Sequence, residues 1–292
     1  MPLKTDKEEA KTLSLGYSPC PNDTFIFYAL VHGKVETGGL SFREELADVE
    51  VLNRRAMDGL PDVTKISFHA YCHLRNDYVL LRSGAALGKG CGPLLVGRGP
   101  VSTADLPEWL RRVKIAVPGG LTTASLLLLL LGGAGLRENM TPMLFSDIMP
   151  AVKEGRADAG LVIHEGRFTF ENYGLHRLLD LGQWWEGETG RPIPLGGIIA
   201  RRSLGEETIK SVQAAIRRSI LYSTKNPDEA RAYIRGHSQE MEDKVIQSHI
   251  GLYVNDQTLW LDGHGEQAIE ELFRRAAAAG LPKPGSKPLF ID

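Results

Sequence analysis

The chain has 292 residues, 42% of them apolar, which is enough for one large domain or two of ordinary size with a real core. Its formal net charge of −2 and its lack of a polybasic run argue against nucleic acid or an anionic membrane surface as a partner. The three cysteines show no C-x-x-C spacing, which argues against a disulfide framework and against a zinc site.

Two segments of the sequence bear on the cellular location of the protein. Residues 1–12 are polar and charged and lack the apolar stretch of a secretory signal. The leucine run at 126–131 is much shorter than the roughly 20 apolar residues that span a bilayer. We therefore expect a cytoplasmic protein with no membrane association, and residues 1–11 are expected to form a disordered lead.

Strands and helices alternate in the first third of the chain. A strand over residues 12–17 precedes a helix over 22–33, for which Asn22 or Asp23 is a natural N-cap. The glycine-rich segment 84–92 matches neither G-x-G-x-x-G nor a P-loop and is interpreted as a flexible crossing segment. Apolar patterning predicts strands at 40–45, 63–68, 77–81 and 92–97 and a helix at 48–59.

A second strand–helix series follows, and the remainder of the chain is helical. Strands are predicted at 113–117, 140–145, 159–163 and 195–200, and helices from Thr122 and at 146–154, 204–224, 227–235, 241–253 and 265–279. This order predicts an α/β protein of the type II periplasmic-binding-protein layout, with a ligand cleft between two lobes. The predicted larger lobe is residues 1–98 plus 200–292, the smaller lobe is 99–199, and the hinges lie near 97–99 and 200–202.

Two stretches are expected to meet across that cleft, because ligands in open α/β sheets bind beyond the carboxyl ends of strands. The first, Ser18–Phe25, offers Ser18 and Asn22 at a strand–helix junction. The second, Leu161–Gly166, places His164 where a buried strand ends. An imidazole there could act as a general base, whereas the alternative is a core histidine or one that caps the next helix. Glu165 could orient that ring, but adjacent residues on an extended chain point to opposite faces, which favours a structural salt bridge.

Two further segments supply polar groups. Thr122 and Thr123 begin a helix after Pro-Gly-Gly-Leu, where free N–H groups suit a carboxylate, although an ordinary threonine N-cap is equally compatible. Lys65, Ile66 and Ser67 end a strand of the opposite lobe. Ser67 could donate a hydrogen bond to the ligand and Lys65 could pair with its acid group, whereas the alternative for Lys65 is a lysine that is only solvated. His69 and His73 lack an acidic partner at H-E-x-x-H spacing, so no metal site is expected there.

These segments resemble the 1,4-dihydroxy-6-naphthoate synthase family of the futalosine route to menaquinone. The similarity rests on G-Y-S-P-C-P-N-D-T-F from Gly16, V-P-G-G-L-T-T-A from Val117 and I-H-E-G-R-F-T-F from Ile163. It extends to the closing K-P-L-F and so covers nearly all of the chain after residue 11. Motifs of this length are specific, and the S-P-C-P-N-D run is not expected in the related chorismate dehydratases.

The resemblance implies a lyase that uses neither a metal nor an organic cofactor. Its substrate would be cyclic dehypoxanthine futalosine, and its products 1,4-dihydroxy-6-naphthoate and dihydroxyacetone. His164 matches the family's proton acceptor, and Lys65–Ser67 and Thr122–Thr123 match its substrate-binding segments. The alternatives are a non-catalytic small-molecule receptor of the same fold or a chorismate dehydratase, and a homodimer is kept as an alternative to a monomer.

Overall fold

The structure is a computed structural model that describes residues 11–238, 242–282 and 284–291. The expected disordered lead therefore lies outside the described residues, apart from Lys11, which begins the first strand. Met241, the first residue of one predicted helix, also lies outside them. No helix in the described part of the chain is both long enough and apolar enough to cross a membrane.

Eleven strands are present in the described residues. In chain order they are β1 (Lys11–Tyr17), β2 (Leu40–Leu46), β3 (Val63–Ser67), β4 (Tyr78–Leu80), β5 (Ala86–Gly88), β6 (Leu94–Gly97), β7 (Ile115–Val117), β8 (Met140–Pro142), β9 (Ala159–Val162), β10 (His176–Asp180) and β11 (Ile193–Arg201).

Thirteen α-helices are described as well. They are α1 (Pro21–Val31), α2 (Val49–Met57), α3 (Phe68–Leu74), α4 (Leu106–Leu110), α5 (Thr123–Gly132), α6 (Phe145–Lys153), α7 (Gly166–Thr169), α8 (Leu181–Thr189), α9 (Glu206–Lys225), α10 (Pro227–His237), α11 (Asp243–Tyr253), α12 (Asp256–Leu259) and α13 (Gly263–Ala278). Short 3₁₀ helices cover Ala134–Asn139, Phe170–Tyr173 and Arg202–Leu204.

The strands form two sheets, which we call the sheets of the first and the second lobe. The first has the order β2-β1-β3-β11-β4, with β5 also paired to β11. Within it β1 is parallel to β2 and β3, and β11 is antiparallel to β3, with Gly197 opposite Ile66. The second sheet has the order β10-β6-β9-β7-β8, in which β9 is parallel to β7 and antiparallel to β6.

The chain crosses between the sheets at residues 89–93 and 190–192, because β6 belongs to the second sheet and β11 to the first. The predicted hinges near 97–99 and 200–202 lie at the far ends of those two strands and are wrong. Both strands are buried apolar runs, and apolar patterning does not reveal which sheet such a run joins. The division into residues 1–98 plus 200–292 and residues 99–199 stays a prediction.

Several element ends differ from the prediction. Cys20 occupies the N-cap position of α1, so the predicted cap at Asn22 or Asp23 is wrong; Pro21 fits the first turn, where its missing N–H is not needed. The predicted strand 63–68 ends at Ser67. The predicted strand 140–145 is only β8, since Phe145 already begins α6.

Two apolar helices anchor the core near the cleft. In α5, Leu126 to Leu129 are buried on all sides, as expected for a helix without a polar face. In α9, Ile209, Val212 and Ile216 form one buried stripe packed on α1 and the first sheet. Each such side chain contributes about 1.5–3 kcal/mol on burial, which holds the first turns of α1 and α5 in place.

Candidate functional site

A cavity of about 90 Å³ lies between the two lobes. It is lined from the first lobe by β3 and the start of α1, and from the second lobe by the start of α5 and the segment after β9. The structure brings all eight predicted site residues together at this cavity. They are Ser18, Asn22, Lys65, Ile66, Ser67, Thr122, Thr123 and His164. Their roles in binding and catalysis stay predictions.

Three helices begin at the cavity wall. They are α1, α3 and α5, whose N-cap positions are Cys20, Ser67 and Thr122. The first N–H groups of a helix and its macrodipole both favour an anion. The convergence of three N-termini from two lobes makes the cavity suited to an acidic ligand.

Asp23 organises the polar groups at the start of α1. Its carboxylate accepts hydrogen bonds from Ser18 Oγ at 2.8 Å and from Asn22 Nδ2 at 2.9 Å. Lys65 Nζ lies 3.2 Å from the same carboxylate and donates to the Gly84 carbonyl at 2.8 Å. Ser18, Asn22 and Lys65 therefore line the cavity while most of their polar capacity is used within the protein. Sequence reasoning considered Asp23 only as a helix cap.

Among the predicted site residues, Ser67 is the one whose hydroxyl hydrogen is most clearly available to a ligand. The side-chain amide of Asn53 accepts from Ser67 N at 2.9 Å and donates to Ser67 Oγ at 3.2 Å. Because Oγ accepts in that pair, its own O–H remains available for a ligand. Asn53 is fully buried on α2 and fixes the orientation of this hydroxyl.

The hydroxyl groups of Thr122 and Thr123 form hydrogen bonds within the protein. Thr122 caps α5: its Oγ1 accepts from Ser125 N at 3.3 Å and donates to the Gly119 carbonyl at 3.0 Å. Thr123 Oγ1 donates to the Leu195 carbonyl of β11 at 2.6 Å. Both hydroxyls are thus engaged, and the polar groups of this segment that suit a ligand are the N–H groups of the first turn.

His164 follows β9 with a φ of 55°, and among the described residues it is the one non-glycine residue with a positive φ. Non-glycine residues held in this region are strained and cluster at functional sites. The ring is half-buried, and the edge-on ring of Phe145 is 5.0 Å away between centroids. His164 lines the cavity, and one of its ring nitrogens lies within 4.8 Å of Cys20 Sγ of the first lobe.

The backbone turn at His164 corrects the expectation for Glu165. Cys20 Sγ, a ring nitrogen of His164 and a carboxylate oxygen of Glu165 all lie within 4.8 Å of one another. Glu165 therefore does not point away from His164, because the chain is not extended at that point. Glu165 is buried beside the imidazole.

These three side chains are the group in the described chain that could hold a metal ion. Burial, followed by the charge of Glu165, raises the pKa of the Cys20 thiol well above its usual value. Zinc takes the thiolate rather than the thiol, so the raised pKa opposes metal binding here. Independence from metals stays a prediction, and this cluster is the place to test it.

His249 also lines the cavity, and sequence reasoning missed it. It lies on α11 and is fully buried, with its ring 6.4 Å from that of His164 between centroids. A signal was present: Ile246, His249 and Tyr253 follow helical spacing and form the buried face of α11. Nothing in the sequence, however, shows that this face returns to the cleft.

Glu50 is a second residue that sequence reasoning missed. Its carboxylate, on α2 of the first lobe, accepts hydrogen bonds from Gly120 N and Leu121 N of the second lobe, each at 3.1 Å. Burial raises the pKa of Glu50. Gly119 has a φ of 138°, and a Cβ there would lie 2.4 Å from the Glu50 carboxylate, so the close approach requires glycine.

Comparisons with known proteins bear on the fold first. The periplasmic aliphatic sulphonate-binding protein SsuA from Escherichia coli superposes with a TM-score of 0.59 at 14% identity, over 97% of this chain and 94% of its own. A protein of solved structure from Archaeoglobus fulgidus superposes with a TM-score of 0.84 at 38% identity, over 92% of this chain and 98% of its own. The fold and the interlobe cavity thus define a protein of the periplasmic-binding-protein type, and the predicted fold class is confirmed.

Sequence relatives narrow this further. The profile of the family described as "Menaquinone biosynthesis" matches residues 13–278. The 1,4-dihydroxy-6-naphthoate synthase of Thermus thermophilus is 48% identical over 281 residues, which cover 96% of this chain and 100% of that protein. The enzyme of the same name from Streptomyces coelicolor is 47% identical over 278 residues, 93% of this chain and 95% of its own. The chain belongs to this menaquinone biosynthesis family.

Proposed function

We propose that the protein is a carbon–carbon lyase that converts cyclic dehypoxanthine futalosine into 1,4-dihydroxy-6-naphthoate and dihydroxyacetone. The full-length relatives named 1,4-dihydroxy-6-naphthoate synthase support the product. The observation that carries the proposal is His164, an imidazole on a strained backbone in the wall of an interlobe cavity. A solute receptor has no need of a base held in that way.

In this proposal His164 accepts a proton from the bound substrate. The electron pair left behind forms a double bond of the aromatic ring, the electron pair of the broken carbon–carbon bond leaves with the three-carbon fragment, and the proton returns to that fragment. Formation of the aromatic ring supplies much of the driving force. A positioned general base contributes about 10²- to 10⁴-fold to such a step. Closure of the lobes would exclude water and align the substrate.

The acid group of the substrate would lie at the convergent helix N-termini. The Ser67 hydroxyl and the first N–H groups of α5 face the cavity from opposite lobes. Hydrogen bonds from both lobes to one carboxylate would favour the closed arrangement. Lys65 is already paired with Asp23, so its charge would attract the acid group from a distance and would not form a direct ion pair with it.

We also propose that the reaction needs no metal or organic cofactor and takes place in the cytoplasm. Full activity after exhaustive chelation is expected. Loss of activity that zinc or iron restores would contradict this and would point to the Cys20, His164 and Glu165 cluster.

The direct test incubates the purified protein with cyclic dehypoxanthine futalosine and detects products by mass. The naphthoate and dihydroxyacetone are expected in equal amounts. Parallel incubation with chorismate tests the dehydratase alternative, for which turnover of chorismate alone would be decisive. Tight binding of the cyclic substrate without any product would favour the receptor alternative.

A further inference from the structure

We propose that His249 is a second imidazole of this site and that its Nδ1 accepts a hydrogen bond from a ring hydroxyl group of the naphthoate part of the bound ligand. This inference rests on the proposed function, which supplies a ligand that carries hydroxyl groups. It concerns binding and orientation, and it assigns no proton transfer to His249.

The position of His249 is the first observation. The residue is fully buried on α11, lines the cavity and lies beside Tyr253 at 4.6 Å between ring centroids. Its Nε2 lies 2.8 Å from Asn22 Oδ1. Its Nδ1 is buried and has no hydrogen-bond partner among the described residues. A buried polar atom without a partner costs about 1–3 kcal/mol, so a ligand that satisfies it gains affinity.

The hydrogen-bond chain fixes which nitrogen of His249 carries the proton. The Asp23 carboxylate, paired with Lys65, only accepts, so Asn22 must present its NH₂ group to it. Asn22 Oδ1 then faces His249, and Nε2 must donate. Nδ1 is therefore the nitrogen with the lone pair, which makes His249 an acceptor toward the cavity.

The imidazole also remains neutral. Burial, and then the nearby charge of His164, hold the pKa of His249 well below its usual value. A neutral acceptor of this kind selects O–H or N–H groups and gains nothing from a carboxylate. The cavity would then offer two kinds of group, the Ser67 hydroxyl and the first turn of α5 for the acid group and His249 for a hydroxyl.

The test compares two ligands and two variants by calorimetry under anaerobic conditions. The ligands are 1,4-dihydroxy-6-naphthoate and naphthalene-2-carboxylate, which lacks the hydroxyls. In His249→Gln the amide nitrogen lies near Nε2 and can still donate to Asn22, but no acceptor remains near Nδ1. In His249→Asn an amide oxygen lies near Nδ1, so this variant is the matched control.

The parental protein is expected to prefer the dihydroxy ligand by about 2- to 12-fold, the range for one neutral hydrogen bond. His249→Gln should lose that preference, and His249→Asn should keep part of it. Equal affinity of the parental protein for both ligands, or an unchanged preference in His249→Gln, would overturn the assignment. If His249→Gln fails to fold, ¹⁵N NMR of the parental imidazole decides: Nδ1 should lack a proton when free and shift only with the dihydroxy ligand.

Failure of the two proposals can be told apart. If the protein turns over the cyclic substrate but does not prefer the dihydroxy ligand, the lyase proposal stands and the role of His249 in ligand binding is contradicted. A hydroxyl preference that His249→Gln abolishes, in a protein without turnover, supports His249 and contradicts the lyase.

Discussion

Asn53 determines what Ser67 can offer a ligand. Since the Asn53 amide occupies both the N–H of Ser67 and one lone pair of its Oγ, the hydroxyl hydrogen is left for the substrate. This arrangement depends on α2 packing against β3, the next element along the chain. The Ser67 side chain is thus positioned before any ligand arrives.

Ser67→Ala should therefore weaken substrate binding by about 1.5–3 kcal/mol, the value of a hydrogen bond to a charged group. The loss should appear mainly in KM, because the acid group is bound in the ground state and in the transition state alike. Steady-state kinetics measure both parameters. Ser223→Ala, at a buried serine of α9 outside the cavity, is the control and should leave KM unchanged. An unchanged KM in Ser67→Ala would mean that the acid group binds elsewhere.

His69 links stability to pH. Burial is the main cause that lowers its pKa to about 4, while the ring donates from Nδ1 to the Thr122 carbonyl at 3.2 Å. An unfolded histidine takes up a proton near pH 6.5, whereas the folded one does not. Stability should thus be complete above about pH 6.5 and fall toward pH 4, with a total loss on the order of 3 kcal/mol.

Denaturant unfolding at pH 7.5 and pH 4.5 measures this loss. His69→Asn keeps an N–H near Nδ1 and should lose less stability between the two pH values than the parental protein. His237→Asn, at the exposed end of α10, is the control and should behave as the parental protein does. Equal pH dependence in all three proteins would show that His69 does not titrate in this way.

All eight predicted site residues line one cavity, because each lies where a strand gives way to a helix or turn. The missed residues, among them Asn53 and His249, lie within helices rather than at strand ends. Their apolar helix faces predict burial but not the partner. Which cavity a buried helix face meets is decided by packing across more than 100 residues, as for His249 and Asn22, and one sequence does not show that.

At the scale of the element, the first turn of α5 both stabilises the fold and forms part of the candidate binding site. Thr122 caps this turn, and the Thr122 carbonyl accepts a hydrogen bond from His69. The Thr123 hydroxyl donates a hydrogen bond to β11. The first residues of this turn, Thr122 to Ala124, line the cavity. The capping threonine and the anion-binding turn are therefore the same element, so the two interpretations considered for this segment are compatible.

Thr122→Ala should reduce the free energy of unfolding by about 1 kcal/mol, the usual cost of losing an N-cap. Denaturant midpoints at unchanged m-value report this loss. Thr122→Ser retains the capping oxygen and should be close to parental. Loss of substrate affinity in Thr122→Ala at full stability would instead give this hydroxyl a direct role in binding.

Helices and strands were predictable where apolar runs are long, as in β1, β9 and α9. The strand β10 escaped prediction because it is a partly exposed edge strand that begins with His176 and Arg177. The helix α3 was not predicted, because its first residue, Phe68, is apolar, as expected for a continuation of the strand β3. Local pattern identifies burial more readily than the residue at which a strand becomes a helix.

At the scale of the whole molecule, the α/β class and the two-lobed layout followed from the order of elements. The positions of the two crossings could not be predicted, because nothing in the sequences of β6 and β11 shows which sheet each strand joins. Once the crossings are placed, Glu50 stands out as a side chain of one lobe that binds backbone N–H groups of the other.

Glu50→Gln should favour lobe opening, because an amide NH₂ would face one of the two N–H donors at residues 120 and 121. The loss of about 1.5 kcal/mol corresponds to roughly a tenfold rise in KM. Small-angle X-ray scattering of the ligand-free variant should give a larger radius of gyration than that of the parental protein. Glu45→Gln removes an exposed ion pair with Arg55 and should change neither quantity. Parental KM and radius of gyration in Glu50→Gln would exclude this interlobe contact from closure.

The central claim concerns His164 as the base. Asparagine is the appropriate replacement, because it tolerates a positive φ better than other polar residues and cannot accept a proton near neutral pH. Circular dichroism and affinity for the product naphthoate should remain close to parental.

The most direct measurement is kcat for cyclic dehypoxanthine futalosine in folded His164→Asn beside the parental protein. We expect a fall of about 10²- to 10⁴-fold, the scale of general-base catalysis, with substrate affinity nearly unchanged. Turnover by His164→Asn within a few-fold of the parental rate would contradict the assignment of His164 as the base.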